Sequence, residues 1–203
     1  TSAISPLMLN PLQKDSMTTV LKVNINDINS QFFIDLGEKL ASSTEIEIRI
    51  PDSQTQKELF TDEQFWQIIE AFDWSKKNAQ EIMAPAVDQL ADMPVMNIYL
   101  FADKLSEKLF QLDTRAHGDA YLANEGDDYL SVDDFLYIRC AVVAEGKVYF
   151  EQVLANPAEF PDEISFEPLL SLAKKAYEKK TGRKFEYYPA ISYETYSNKE
   201  AWK

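Results

Sequence analysis

Apolar residues recur every three or four positions through most of the chain between residues 61 and 180. This spacing puts them on one side of an α-helix, so it predicts a series of amphipathic helices that bury their apolar sides against one another. The clearest helix is predicted at 97–113, whose apolar positions are Ile98, Phe101, Leu105, Leu109 and Leu112. The pattern therefore predicts a helical body over residues 61–184.

Capping residues and glycines predict where several of these helices begin and end. Thr61 and Gln64 form a T-x-x-Q capping box at the start of the first helix of the body. Ser131 is expected to cap a later helix, because its hydroxyl can accept from a free backbone N–H. Gly118 is a predicted helix stop, and residues 119–128, which are acidic, are predicted to form a turn.

A different pattern precedes the helical body. Apolar and polar residues alternate over 18–26 and again over 44–50, which is typical of half-buried strands. Between them lies a predicted helix whose apolar positions repeat every four residues: Ile28, Phe32, Leu36 and Leu40. Residues 17–51 are therefore predicted to form a small strand–helix–strand unit. The predicted fold class is α+β, a mainly helical body with this N-terminal unit.

The remaining segments divide the chain further. Residues 1–16 have no clear periodicity and are treated as an extension outside the fold, disordered or non-native. Residues 52–60 are mostly polar and are predicted to be a linker. Residues 185–203 are rich in Tyr and Trp and are expected to pack on the body as an aromatic tail.

The charge balance restricts the class of partner. The chain has 34 acidic and 20 basic residues, a formal net charge of −14. Such a surface repels the phosphates of nucleic acids and of anionic membranes, so neither is an expected partner. Opposite charges speed encounter, and the expected partner is therefore a basic protein. The sequence does not indicate an oligomeric state.

Few residues are available for chemistry. His117 is the only histidine and Cys140 the only cysteine, which removes most catalytic triads, cysteine-rich zinc sites and intrachain disulfides. No phosphate-binding loop or dinucleotide fingerprint is present. We therefore predict no catalytic residue, no cofactor and no metal. These features disfavour an enzyme but leave the question open. With one cysteine, no signal peptide and no apolar run long enough to span a bilayer, a cytoplasmic location is expected.

Candidate residues for partner binding cluster around the helix that Ser131 is predicted to start. They are acidic residues in and after the predicted turn, together with a tyrosine and an arginine: Asp127, Asp128, Asp133, Asp134, Tyr137 and Arg139. Asp134 and Tyr137 are three residues apart and share a helix face. A carboxylate near a helix N-terminus is also favourable by itself, so these acids are explained by helix capping as well.

Three stretches of the body carry a resemblance to a known family. They are EQFWQIIEAF at 63–72, LFADKLSEKLFQLD at 100–113 and DDFLYIRCAVVAEGKVYFEQVLANP at 133–157. Over roughly residues 63–160 the chain resembles DUF4240, a family of bacterial proteins of unknown function. The resemblance implies a helical domain with no assigned activity. It also implies that position 140, where many members have a Trp, is a packing position.

Three functions are compatible with these features. The leading hypothesis is a protein-binding module that engages a basic partner, in its sharpest form a toxin-neutralising protein, since the N-terminal segment loosely resembles short antitoxins. The second is a small-molecule sensor or cryptic enzyme with an acidic cleft between helices. The third is an assembly module that pairs through the N-terminal strands.

Overall fold

The structure is a computed structural model that describes residues 28–41, 59–125, 129–161 and 164–203, together with five isolated positions before residue 50. The chain divides into two compact units, Thr1–Gln54 and Thr55–Lys203. In the first unit one helix, α1 (Ser30–Lys39), is described. Asn29 caps it, because its side-chain oxygen accepts from the backbone N–H of Phe32 at 3.0 Å. No residue of α1 is buried.

The predicted α+β fold is wrong. No strand occurs among the residues that the structure describes, where all regular elements are helical. The predicted strands at 18–26 and 44–50 lie mostly outside those residues, and their described positions are not in strands: Leu21, Val23, Thr44, Ile46 and Ile48. Alternation favours a strand only where its apolar side is covered. Here Leu21 is 60% and Ile48 65% exposed, so that condition is not met.

The second unit is built from seven described α-helices and two short 3-10 helices. The α-helices are α2 (Asp62–Ile69), α3 (Ala79–Asp92), α4 (Val95–Gln111), α5 (Arg115–Glu125), α6 (Val132–Ala144), α7 (Lys147–Ala155) and α8 (Leu172–Thr181). The 3-10 helices are Pro157–Glu159 and Glu167–Ser171. The predicted capping box is present, since Thr61 and Gln64 each accept from the other's backbone N–H. Ser131 caps α6 by accepting from the backbone N–H of Asp134.

The predicted stop at Gly118 and the predicted turn that follows it are wrong over the described residues. Gly118 lies inside α5, which continues to Glu125. Gly118 instead allows Trp202 to approach α5 closely, because a Cβ atom at position 118 would lie 2.6 Å from Cη2 of Trp202. A glycine used in this way looks the same in the sequence as a glycine that ends a helix.

Helix α6 lies at the centre of the second unit. Nine of its thirteen residues are buried, on all its sides, as expected for a helix enclosed by others. It packs against α4, α7 and the second 3-10 helix, while α8 covers α3 and α4. Aromatic rings link these layers: Phe65 stacks on Phe101 with ring centroids 5.0 Å apart, and Trp66 meets Phe150 at 5.2 Å.

The chain after α8 has no regular secondary structure. Gly182 ends α8 in the left-handed conformation, with φ +66°, which glycine adopts without strain. Residues 193–203, which we call the strap, then form hydrogen bonds with α4, α5, α6 and Asp113. No residue of the strap is buried to the extent of the core, although Tyr193 and Trp202 pack against it.

Candidate functional site

A fully buried arginine on α6 joins the body to the strap. The side chain of Arg139 is 0% exposed. Its Nη1 donates to the carbonyl of Leu109 at 2.9 Å and to that of Tyr193 at 3.1 Å, and its Nη2 donates to Oγ1 of Thr195 at 2.9 Å. The guanidinium also lies 4.8 Å from the ring centroid of Phe135, a favourable cation–π distance. Two of its three hydrogen bonds therefore go to the strap.

A buried carboxylate makes the second junction. Asp113, two residues after the end of α4, is also 0% exposed. Its Oδ1 accepts from the backbone N–H of Tyr196 at 3.1 Å and from Nε1 of Trp202 at 2.9 Å. Its Oδ2 accepts from the backbone N–H of Asn198 at 2.9 Å and from the hydroxyl of Ser197 at 3.2 Å. All four donors belong to the strap, so this carboxylate is satisfied only when the strap is in place.

Further contacts fix the strap along its length. The Arg115 side chain donates twice to the carbonyl of Trp202, at 3.2 and 2.7 Å. The Asn198 amide donates to the carbonyl of Phe110 at 3.2 Å. Tyr196 has φ +70°, a rare conformation for a residue other than glycine. The buried Asp113 carboxylate, which binds the N–H groups on either side of Ser197, stabilises this turn.

The charge of Arg139 survives its burial. Loss of hydration lowers the pKa of Arg139 to about 10, while the negative charges of Asp113 and Glu194 act in the opposite direction. The guanidinium therefore stays protonated at neutral pH. The molecule thus contains a buried cation, Arg139, and a buried anion, Asp113. Both form hydrogen bonds with the strap.

A second polar feature lies on the surface at the start of α6. Asp133 and Asp134 are exposed in the first turn, and Tyr137 is one turn further on. The negative charge of Glu167 raises the pKa of Tyr137, and partial burial and the charges of Asp133 and Asp134 raise it further. The backbone N–H of Phe166 donates to the carbonyl of Tyr137 at 2.9 Å, which holds the second 3-10 helix beside α6. We call Asp133, Asp134, Tyr137 and Glu167 the acidic face.

The structure separates the six residues predicted for partner binding. Asp133, Asp134 and Tyr137 lie together on the acidic face. Arg139 is on the same helix but points into the core, where it cannot meet a partner at the surface. Asp127 and Asp128 lie outside the described residues.

The single histidine is a packing residue. His117 is buried in the first turn of α5. Its Nε2 lies 3.2 Å from the carbonyl of Val153, an acceptor only, so Nε2 carries the proton. Nδ1 lies 2.7 Å from the hydroxyl of Thr114. Burial lowers the pKa of His117, the charge of Arg139 lowers it further, and the bond to Val153 opposes the shift. The ring is therefore neutral at pH 7.

We expect this histidine to make the fold sensitive to mild acid. Because the folded pKa is below the unfolded value of about 6.5, the unfolded chain binds the proton first, and the free energy of unfolding falls as pH falls below about 6.5. For a single proton, the free energy of unfolding can fall by at most about 1.4 kcal/mol per pH unit. Urea unfolding at pH 7.0 and 5.5 measures this loss, and His117→Gln should abolish most of it. Equal pH dependence in the two proteins would show that His117 is not responsible.

The single cysteine is protected from reaction. Burial raises the pKa of Cys140 to about 12, with a smaller contribution from Glu167 and opposition from Arg139. At pH 8 roughly one thiol in ten thousand is then ionised, and only the thiolate attacks disulfide reagents. Ellman's reagent at pH 8 should therefore leave the folded protein unmodified over the time in which the urea-unfolded chain reacts completely. Equal rates in the two states would contradict this burial.

A surface ion-pair cluster joins α2 to α4. Lys104 and Lys108 each place Nζ 2.7 Å from a different oxygen of Asp62. Partial burial by itself would raise the pKa of Asp62, but the hydrogen bonds and charges of the two lysines lower it overall. This first-turn acid of α2 also complements the helix dipole. The cluster has a structural explanation and is not a candidate site.

In the part of the chain that the structure describes, no three His, Cys, Asp or Glu side chains are grouped so that they could hold a metal ion. None of the helices described has both the length and the apolar character needed to cross a lipid bilayer.

The sequence predicts that residues 185–203 pack on the body, but not the two buried charged residues that anchor the strap. Asp113 was predicted only as the end of a helix, and Arg139 was assigned to the surface. One signal was present in the sequence. Arg139 lies in the run FLYIRCAVVA at 135–144, where all its neighbours are apolar. On a helix that is apolar all round, an arginine is enclosed and needs partners from elsewhere in the chain.

The second unit is thus an all-helical domain in its described residues, with a buried polar junction to its C-terminal segment. The chain belongs to the DUF4240 family of proteins of unknown function, whose model matches residues 60–179. This confirms the resemblance seen in the sequence. Neither a curated protein nor a solved structure matches the chain. Asp113 and Arg139 lie within the matched residues, and the strap lies beyond them.

Proposed function

We propose that this protein is a binding module for a basic protein partner, and that the acidic face receives a lysine or arginine side chain of that partner. The observation that carries the proposal is the arrangement around Tyr137, where the charges of Asp133, Asp134 and Glu167 all act on one partly exposed phenol. None of the described residues forms an ion pair with these three carboxylates.

The chemistry of this face suits a cation. A docked ammonium or guanidinium group would be attracted by the negative charges of Asp133, Asp134 and Glu167. The ring of Tyr137 adds a cation–π contact, worth roughly 0.5–1 kcal/mol at an exposed site. The net charge of −14 would attract a basic protein from a distance and raise the rate of association.

The proposal is tested with a lysine- and arginine-rich peptide and with basic proteins encoded beside the gene, a toxin foremost among them. Binding is measured by calorimetry at low and high salt. The test variant removes the three charges of the acidic face: Asp133→Asn, Asp134→Asn and Glu167→Gln. The matched control removes three exposed charges elsewhere: Glu70→Gln, Asp92→Asn and Asp119→Asn.

Both variants change the net charge by the same amount, so bulk attraction is equal in the two. We expect the acidic-face variant to bind roughly tenfold more weakly or worse, as for the loss of a close charge contact, and the control to stay within about twofold of the wild type. If both variants weaken binding equally, the attraction is a property of the whole surface and the acidic face is not a site. Absence of binding to every basic partner would reject the function itself.

A further inference from the structure

The strap is held in the way that a protein holds a bound peptide. It has no regular secondary structure of its own, and the body contacts its main chain directly. Arg139 donates to the carbonyl of Tyr193, Asp113 accepts from the N–H groups of Tyr196 and Asn198, and Arg115 donates to the carbonyl of Trp202. In peptide recognition, main-chain hydrogen bonds supply affinity and a few side-chain pockets supply specificity.

Trp202 fills the pocket in this arrangement. Its ring lies over Gly118, where the missing side chain gives it room, and meets Phe135 edge-on with ring centroids 6.0 Å apart. Its indole N–H is bound by Asp113. A large ring with a satisfied polar edge, seated in a pocket, is the usual anchor of a protein interface.

Every buried hydrophobic residue described in the second unit lies between Phe60 and Ala176, before the strap begins. The strap supplies every donor to Asp113 and two of the three acceptors of Arg139, so we expect its release to open both charged groups to water. A groove with a cation and an anion on its floor would then be open.

We propose that Arg139 and Asp113 form the floor of a peptide-binding groove, and that the strap is its resident and releasable ligand. The groove accepts a chain segment that offers a carbonyl and a hydroxyl group to Arg139, a tight turn with two N–H groups to Asp113, and a tryptophan to the pocket above Gly118. Attached to the body, the strap is present at an effective concentration in the millimolar range, so it keeps the groove occupied against weaker peptides.

The test uses the full chain, cut after it has folded. A protease site is inserted between Tyr188 and Ile191, where Tyr188 is 88% exposed. After cleavage, a fluorescent peptide of residues 190–203 is added in excess and its binding is followed to equilibrium by anisotropy. We expect it to replace the cut strap while the circular dichroism of the helices is unchanged.

Variants of the peptide probe the groove without risk to the fold of the body. A peptide with Trp202→Ala should compete roughly thirtyfold more weakly or worse, the loss typical of a central aromatic anchor. A peptide with Lys199→Ala is the matched control, because Lys199 is exposed, and it should compete like the wild type.

A variant of the body gives a second test. Gly118→Ala improves the helix propensity of α5 but places a Cβ 2.6 Å from Trp202, so the peptide should bind roughly tenfold more weakly to a body that stays helical. The proposal is overturned if the peptide never replaces the cut strap, if release of the strap removes the helical signal, or if the Trp202→Ala peptide competes as well as the control. It does not depend on the acidic face, whose charge-neutralised variant should bind the peptide normally.

Discussion

Replacing Asp113 with alanine should lower the free energy of unfolding by about 3 kcal/mol, one of the two largest effects expected from a single substitution in this protein. The carboxylate accepts four hydrogen bonds, all from the strap. Hydrogen bonds to charged groups contribute more than neutral ones, and alanine leaves two backbone N–H groups and an indole N–H without acceptors. Arg139 would also lose the nearby negative charge that opposes the effect of burial.

Urea unfolding followed by circular dichroism measures this change. Asp119→Ala is the control, since Asp119 is an exposed acid on α5 and surface substitutions usually change stability by less than about 0.5 kcal/mol. A loss of under about 1 kcal/mol for Asp113→Ala would mean that the strap contributes little to the stability of the folded chain.

Replacing Arg139 with methionine should cost about 4 kcal/mol, because this side chain stabilises both the strap and the body. Its bond to the carbonyl of Leu109 satisfies an acceptor in the last turn of α4, where a cation also complements the helix dipole. Methionine approximates the length of the arginine but leaves three acceptors without donors. The same urea experiment measures the loss.

The double variant of Arg139→Met and Asp113→Ala tests whether the two charges act through the strap. If both residues hold the strap, either substitution alone already removes part of the stabilisation that the other would remove. The combined loss in the free energy of unfolding should then be smaller than the sum of the single losses by at least about 1 kcal/mol. Losses that add fully would show that the two residues stabilise the protein independently.

The helices of the body could be predicted because their signals are local. The capping box at Thr61 and Gln64 and the three-to-four spacing of 97–113 depend on neighbours within one or two turns. The error at Gly118 has a non-local cause: the residue that uses its missing side chain, Trp202, is 84 positions away. The residues near Gly118 in the sequence do not indicate its contact with Trp202.

The candidate site was predictable only in part, for the same reason. Asp133, Asp134 and Tyr137 are on consecutive turns, so their shared face follows from helix geometry. Glu167 joins them from another element, through packing that the sequence does not specify. Arg139 shares their helix, yet its direction is decided by what surrounds α6. The strap has no helical or strand periodicity, and many of its polar groups pair with the body, far away in the sequence.

The N-terminal prediction failed for a different reason. Alternation over 18–26 and 44–50 is a local signal for strands, but a strand also needs a neighbouring strand and a covered face. The isolated apolar positions that the structure describes there are exposed. A pattern of apolar residues is therefore a weaker indication of strands than of helices, because a helix forms its hydrogen bonds within its own segment.

Amide hydrogen exchange resolved by NMR tests the junction between the buried charges and the strap most directly. The amides to follow are those of Tyr196 and Asn198, which both donate to Asp113. Both should be protected in the wild type and should exchange freely in Asp113→Ala, while the amides of α6 stay protected in the two proteins. Free exchange of Tyr196 and Asn198 in the wild type would show that the carboxylate does not hold the strap.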